Sequence, residues 1–214
     1  FLDASLVNLE GERSSFWLEG DLTSSLVSDT AAPVLVTGGA GLIGSAVSEA
    51  LGALGRRVHC FDLHDEGRVD WAAHPSLDFV RGDVTDESAV DAWVRRCGLV
   101  VHLAAVVGVD EYIQRPEDVL DVNVLGGRVV LRACQRHGVP VLAASSSEVY
   151  GKNDEPLREG SDTVLGDAAN GRWCYAVSKL VTEHYARALG HAGLRFALVR
   201  YFNVYGPRGE APGR

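Results

Sequence analysis

The chain has 214 residues, 46% of them hydrophobic and 23% charged, a balance that excludes disorder and collagen-like structure and fits one globular domain. The formal charge of −9 is uneven, because residues 1–33 carry six acids and one Arg, and neither part offers the basic face that nucleic-acid binding needs. No apolar run reaches the roughly 18 residues of a membrane span, and the N-terminus lacks the basic-then-apolar layout of a secretory signal, which places the chain in the cytoplasm with no membrane partner. Residues 1–32 show no sustained period and read as an extension of uncertain structure, closed off by Pro33; residues 33–214 form the folded domain. A short apolar strand over 34–37 runs into a glycine turn and a helix over 42–54. Then follow strands at 57–61 and 77–80, a helix at 86–96, a strand at 99–103 and a long helix at 116–137 ending on Gly138. A strand at 141–144, a polar loop, a helix at 173–189 and a strand at 194–201 complete the series. Continuous apolar strands alternating with helices predict an α/β fold with a doubly wound parallel sheet covered on both faces, because each crossover lays a helix on the sheet.

The cysteines, Cys60, Cys97, Cys134 and Cys174, are far apart in sequence and read as buried thiols in a reducing compartment. Of the seven histidines none forms an HExxH pair, and His59 and His102 sit in apolar runs as satisfied core residues, so no metal site is expected. The chain holds no Met, where about four are usual, so it reads either as a fragment or as a sequence from which modified methionines have been lost.

The first strand-to-helix turn is Thr37-Gly38-Gly39-Ala40-Gly41-Leu42-Ile43-Gly44. Glycines there let backbone come close to a pyrophosphate, whose charge meets the free N–H groups at the helix start. Asp62 closes the second strand about twenty residues on, where a carboxylate can accept both ribose hydroxyls, which argues for NAD over NADP. Arg56 and Arg57 stand nearby. The alternative is that Asp62 merely begins a surface loop.

Tyr175-Ala176-Val177-Ser178-Lys179 puts a tyrosine and a lysine on one helix face. With 18 Arg and only Lys152 and Lys179, chance supplies roughly 0.06 such pairs. A solvated helix face would not account for Lys in so arginine-rich a chain; a tyrosine base would, since a nearby ammonium and a nicotinamide cation both favour phenolate. At the end of the fifth strand lies Ser145-Ser146-Ser147-Glu148, a run that by itself could be a turn.

The wide Gly-x-x-Gly-x-x-Gly spacing resembles the short-chain dehydrogenase/reductase superfamily, a Rossmann fold. Further resemblances are Arg81-Gly82-Asp83-Val84, His102-Leu103-Ala104-Ala105, Asp121-Val122-Asn123 and Tyr201-Phe202-Asn203-Val204-Tyr205-Gly206-Pro207-Arg208, the last looking like extended members that act on nucleotide sugars. The resemblance implies NAD contacts from Gly38, Gly41, Leu42, Ile43, Gly44, Asp62, Asp83, Val84, Leu103, Ala104, Ala105, Tyr175 and Lys179. It implies a structural role for Asn123, a substrate contact from Asn203, and a C-terminal substrate domain most of which lies outside the chain. It also implies catalysis by Ser146, which hydrogen-bonds the reacting hydroxyl, with Tyr175 as base and Lys179 binding the ribose. Ser146-Ser147-Glu148 and Arg172-Trp173 look closest to UDP-glucuronate decarboxylases, with Ser where Thr is usual. Nucleotide-sugar 4-epimerases and 4,6-dehydratases remain alternatives, as does, outside enzymes, an idle NAD-binding regulatory module. The resemblance also implies pairing of helices near 116–137 and 173–191 between subunits, and so a homodimer.

Overall fold

The computed structural model describes residues 31–206. The extension expected over 1–32 therefore lies outside the described residues except at its last two positions, as do Pro207 and Arg208. Six parallel strands form one sheet: β1 (Val34–Thr37), β2 (Val58–Asp62), β3 (Leu77–Arg81), β4 (Leu99–His102), β5 (Val141–Ser146) and β6 (Phe196–Tyr201), in the order β3-β2-β1-β4-β5-β6. The helices are α1 (Leu42–Ala53), α2 (Glu87–Val94), α3 (Val109–Gln114), α4 (Pro116–Leu120), α5 (Gly127–His137) and α6 (Trp173–Gly190).

Side-chain alternation along the strands builds a core on each face. Val34, Val36, Val58 and Cys60 face α1 through Val47 and Leu51, whereas Leu35, Phe61, Val100 and Val141 pack with Val90 of α2, Val130 and Leu131 of α5 and Ala186 of α6. Both faces are covered, as predicted for a doubly wound sheet. Chain direction reverses between β1, which leads outward to β2 and β3, and β4, which leads the other way to β5 and β6. A crevice opens at the carboxyl ends of the strands at such a reversal, and it is where ligands bind in open α/β sheets.

The single helix predicted over 116–137 is corrected to α4, a π-helical turn (Asp121–Gly126) and α5. The Thr182 hydroxyl of α6 lies 3.1 Å from the Asn123 carbonyl and 2.9 Å from that of Ser178, so an outside donor competes for the i→i−4 ladder where it widens. α3 was not among the predicted elements: it is only 6 residues long, none of its side chains is buried, and its Val109, Tyr112 and Ile113 at helical spacing are too few to mark it. β5 runs two residues beyond the predicted 144, to Ser146.

Candidate functional site

The glycine turn brings three pieces of backbone together. Gly38 has φ +70, and a Cβ on it would stand 2.7 Å from the Ala104 amide nitrogen at the end of β4. A Cβ on Gly44 would overlap the Gly38 carbonyl. The start of α1 is thus pressed onto the turn, with Gly41 as an N-cap that has no side-chain partner for the first N–H groups. Asp62, at the end of β2, accepts hydrogen bonds from the Ala40 N–H (3.0 Å) and the Leu63 N–H (2.8 Å), which fixes its carboxylate beside the turn.

These groups line one cleft of about 540 Å³ that crosses the carboxyl edge of the sheet. Asp83, Val84 and Asp62 line it at the ends of β3 and β2, and Gly38, Gly41, Leu42, Ile43 and Gly44 above β1. Leu103, Ala104 and Ala105 follow at β4, and Ser146, Tyr175, Lys179 and Asn203 at the β5–β6 side. The order of groups along it fits a dinucleotide: a carboxylate at one side, a helix start in the middle, and a Ser-Tyr-Lys set at the other. Ser147 and Glu148 sit just outside, half-buried on a 3-10 turn (Ser147–Tyr150). The Glu148 carboxylate lies 3.8 Å from the guanidinium of Arg172, which itself stands over the Trp173 ring.

Ser146, Tyr175 and Lys179 are 8%, 8% and 5% exposed, and burial governs the ionisation of Tyr175 and Lys179. The sequence predicts a phenol lowered by its lysine, but in the structure burial prevails. It pushes Tyr175 up to about 12, with Tyr112 and Glu148 adding to the rise and a hydrogen bond with Ser146 opposing it. The Lys179 ammonium is 5.8 Å from the Tyr175 ring centroid and donates to the Ala144 carbonyl (3.2 Å); loss of hydration brings it down to about 8. His102 is a core residue, bonded to the Thr37 hydroxyl at 2.7 Å and lowered to about 3 by burial and by Lys179, hence neutral. His59 is also buried, 2.6 Å from Asp78. Cys60, Cys97 and Cys134 are buried as expected; Cys174 departs from the expectation and is partly exposed.

Asn123 sits 2% exposed on the π turn. Its side chain accepts from the Val106 N–H (2.8 Å) and donates to the Val106 carbonyl (3.2 Å) and the Ser178 hydroxyl (3.1 Å), tying the β4 loop to α6. Two features have no counterpart in the sequence reading. The Tyr112 ring stacks on that of Tyr175, with centroids 4.8 Å apart and planes within 10°. Glu183 is 3% exposed, accepting from Ser145 (2.6 Å) and, through both oxygens, from Arg200 (2.8 Å each). An Arg inside an apolar strand and a Glu one turn after Lys179 were the available signals for that pair. Tyr112 carried only its helical spacing with Val109 and Ile113, in a helix of 6 residues. Among the described residues no group of three or more His, Cys, Asp or Glu is placed to hold a metal, and no helix is long and apolar enough to cross a membrane.

The profile of the NAD-dependent epimerase/dehydratase family matches residues 34–214. The chain belongs to that family. It is 33% identical over 178 residues to a UDP-N-acetyl-alpha-D-glucosaminuronate decarboxylase from Bacillus cytotoxicus, covering 82% of this chain and 56% of that protein. Among solved structures it resembles the UDP-glucose 4-epimerase of Thermus thermophilus in complex with NAD, with a TM-score of 0.72, 34% identity and coverage of 83% and 57%. It also resembles MoeE5 in complex with UDP-glucuronic acid and NAD, with a TM-score of 0.72, 35% identity and coverage of 85% and 58%. The chain thus spans little more than half the length of each relative.

Proposed function

We propose that this family member is an NAD-dependent enzyme acting on a nucleotide-linked hexose, with residues 33–214 forming its NAD-binding domain. The observation that carries this reading is the meeting of Ser146, Tyr175 and Lys179 in the same cleft as the glycine turn and Asp62. NAD, when bound, supplies a reversible acceptor for the hydride of the sugar C4. Asp62 holds the adenosine ribose and selects NAD over its 2′-phosphorylated form. The α1 N-terminus faces the pyrophosphate. Ser146 hydrogen-bonds the C4 hydroxyl, Tyr175 as phenolate takes its proton, and Lys179 holds the nicotinamide ribose, with Asn203 contacting the substrate. Burial raises the phenol above its ordinary range, and the positive nicotinamide ring, when bound, would favour its phenolate.

The substrate favoured is UDP-glucuronate and the reaction is decarboxylation. A C4 ketone leaves the C6 carboxylate β to a carbonyl, so the C5–C6 bond breaks to carbon dioxide and an enolate; C5 is then protonated and the ketone reduced, with no net redox change. Glu148 supports this choice, because a carboxylate beside the C6 carboxylate disfavours the ground state and can relay the proton. The likeness to a uronate decarboxylase and to a protein that binds UDP-glucuronic acid supports it too. The likeness to a UDP-glucose 4-epimerase keeps 4-epimerisation as the second reading. Supplied with UDP-glucuronate, the full-length protein should release carbon dioxide and a UDP-pentose; epimerised uronate without carbon dioxide selects the epimerase, and a 4-keto-6-deoxy product from dTDP-glucose selects a dehydratase. Glu148→Gln should let the 4-keto sugar accumulate, and equal slowing of oxidation and decarboxylation would make Glu148 a loop residue only. We further propose a cytoplasmic homodimer paired through α4–α5 and α6, supported by exposed Leu120 and Leu125 and by unpaired thiols; a monomer in sedimentation would remove the dimer.

A further inference from the structure

We infer that Tyr112 is a positioning residue for Tyr175: its ring, stacked on that of Tyr175, holds the phenol at its working angle and keeps water from it. The inference rests on Tyr175 being the base. α3 has no core reason to lie where it does, since Val109 and Ile113 are 61% and 63% exposed and none of its side chains is buried. It is attached to α4 and to the start of α6. The Tyr112 carbonyl abuts Gly171, where a Cβ would stand 3.3 Å from it, and the Pro116 carbonyl just after α3 accepts from the Cys174 thiol at 3.4 Å. Arg115 donates twice to Glu111 and reaches Asp118, pinning α3 to α4. The Tyr112 N–H donates to the Gly108 carbonyl at 3.1 Å, which fixes the backbone that carries the ring. A parallel ring contact then sets the plane of Tyr175, and a phenol whose plane is fixed loses less orientational freedom when it meets the sugar hydroxyl.

The groups acting on the Tyr175 phenol come from four directions: Tyr112 of α3, Glu148 of the 3-10 turn with its partner Arg172, Ser146 of β5, and Lys179 of α6. After burial, Tyr112 is the largest influence raising Tyr175. Removing the ring should therefore slow turnover and, by uncovering the phenol and removing the Tyr112 hydroxyl, make Tyr175 easier to ionise.

The test uses the full-length protein saturated with NAD, measuring kcat, KM and the Tyr175 pKa from the tyrosinate absorbance lost in Tyr175→Phe. Tyr112→Ala should lower kcat roughly tenfold with little change in KM, and move the pKa down by roughly one unit. Tyr112→Phe keeps the stack and should restore most of the rate. Tyr112→Leu, which keeps apolar bulk without a stacked ring, should behave as Ala does and replaces it if Ala does not fold. A wild-type kcat in Tyr112→Ala, or a slow variant whose Tyr175 pKa is unmoved, overturns the inference. Those outcomes leave Tyr175 as the base if Tyr175→Phe is inactive, whereas a Tyr175→Phe variant that still turns over defeats both.

Discussion

At Lys179 the demands of stability and of chemistry conflict. An ammonium only 5% exposed, with one carbonyl as partner at 3.2 Å, sits at a pKa near 8 instead of its free value of 10.5. A group whose native pKa is depressed binds fewer protons folded than unfolded between those two values, so stability should rise as pH climbs from about 8 toward 10.5. Below pH 8 the full penalty is present, on the order of 3 kcal/mol for such a displacement. Lys179→Met should accordingly be more stable than the wild type at pH 7, by less than that figure because the Ala144 carbonyl loses its donor. The difference should shrink as pH rises above 8. Denaturant midpoints at pH 7 and pH 9.5 check it, and an advantage that grows with pH would mean that the fold holds Lys179 charged, its pKa raised above the free value and not lowered. The same variant should lose turnover, since a site strained for function is a recurrent place for stability to be gained at activity's expense. In the proposed mechanism Ser146→Ala removes one hydrogen bond to the reacting oxygen, and it should cost about 10²- to 10³-fold in kcat.

Among the elements, those legible in the sequence were those whose function and packing share one pattern. β1, the glycine turn and α1 were readable because apolar strand, glycines at fixed offsets and helical period all fall within one short stretch. α6 was readable because Tyr175 and Lys179 share a face. What was not legible depended on contacts between distant segments. The π turn exists because Thr182, 59 residues away, bonds the Asn123 carbonyl, and no local period can announce that. Tyr112 was invisible for the same reason, its partner lying on another helix. Asn123 was singled out by resemblance, and the structure supplies the physics: one side chain satisfies the N–H and carbonyl of Val106 and reaches Ser178. Asn123→Ala would leave the Val106 groups unpaired in a partly buried setting, which costs about 1–3 kcal/mol for each group left without a partner. A drop of about 2–4 kcal/mol in unfolding free energy, read from chemical denaturation, is expected; a loss under about 0.5 kcal/mol would mean that water replaces the side chain.

Across the whole molecule, the cleft is lined by residues of both halves of the sheet, β1–β3 on one side of the reversal and β4–β6 on the other. Few covalent links join those halves at the cleft, and Gly38 packs backbone to backbone against Ala104 where they meet. A dinucleotide lying across them would contact Asp62 on one half and Lys179 on the other, and so would couple their unfolding. Binding to the native state alone stabilises it by RT ln(1 + [L]/Kd), about 2.7 kcal/mol at a hundredfold excess over Kd. For a chain of this size that corresponds to a rise in Tm of roughly 5–10 °C. NAD should produce that shift in a single cooperative transition, and NADP at equal concentration a smaller one, because its 2′-phosphate would meet the Asp62 carboxylate held by Ala40 and Leu63. Asp62→Ser should bring the two shifts together from both sides, weakening NAD by the loss of ribose hydrogen bonds and relieving NADP of the repulsion. A larger shift with NADP than with NAD in the wild type would reverse the cofactor assignment, and two separate transitions with NAD would show that the halves of the sheet unfold independently even when bridged.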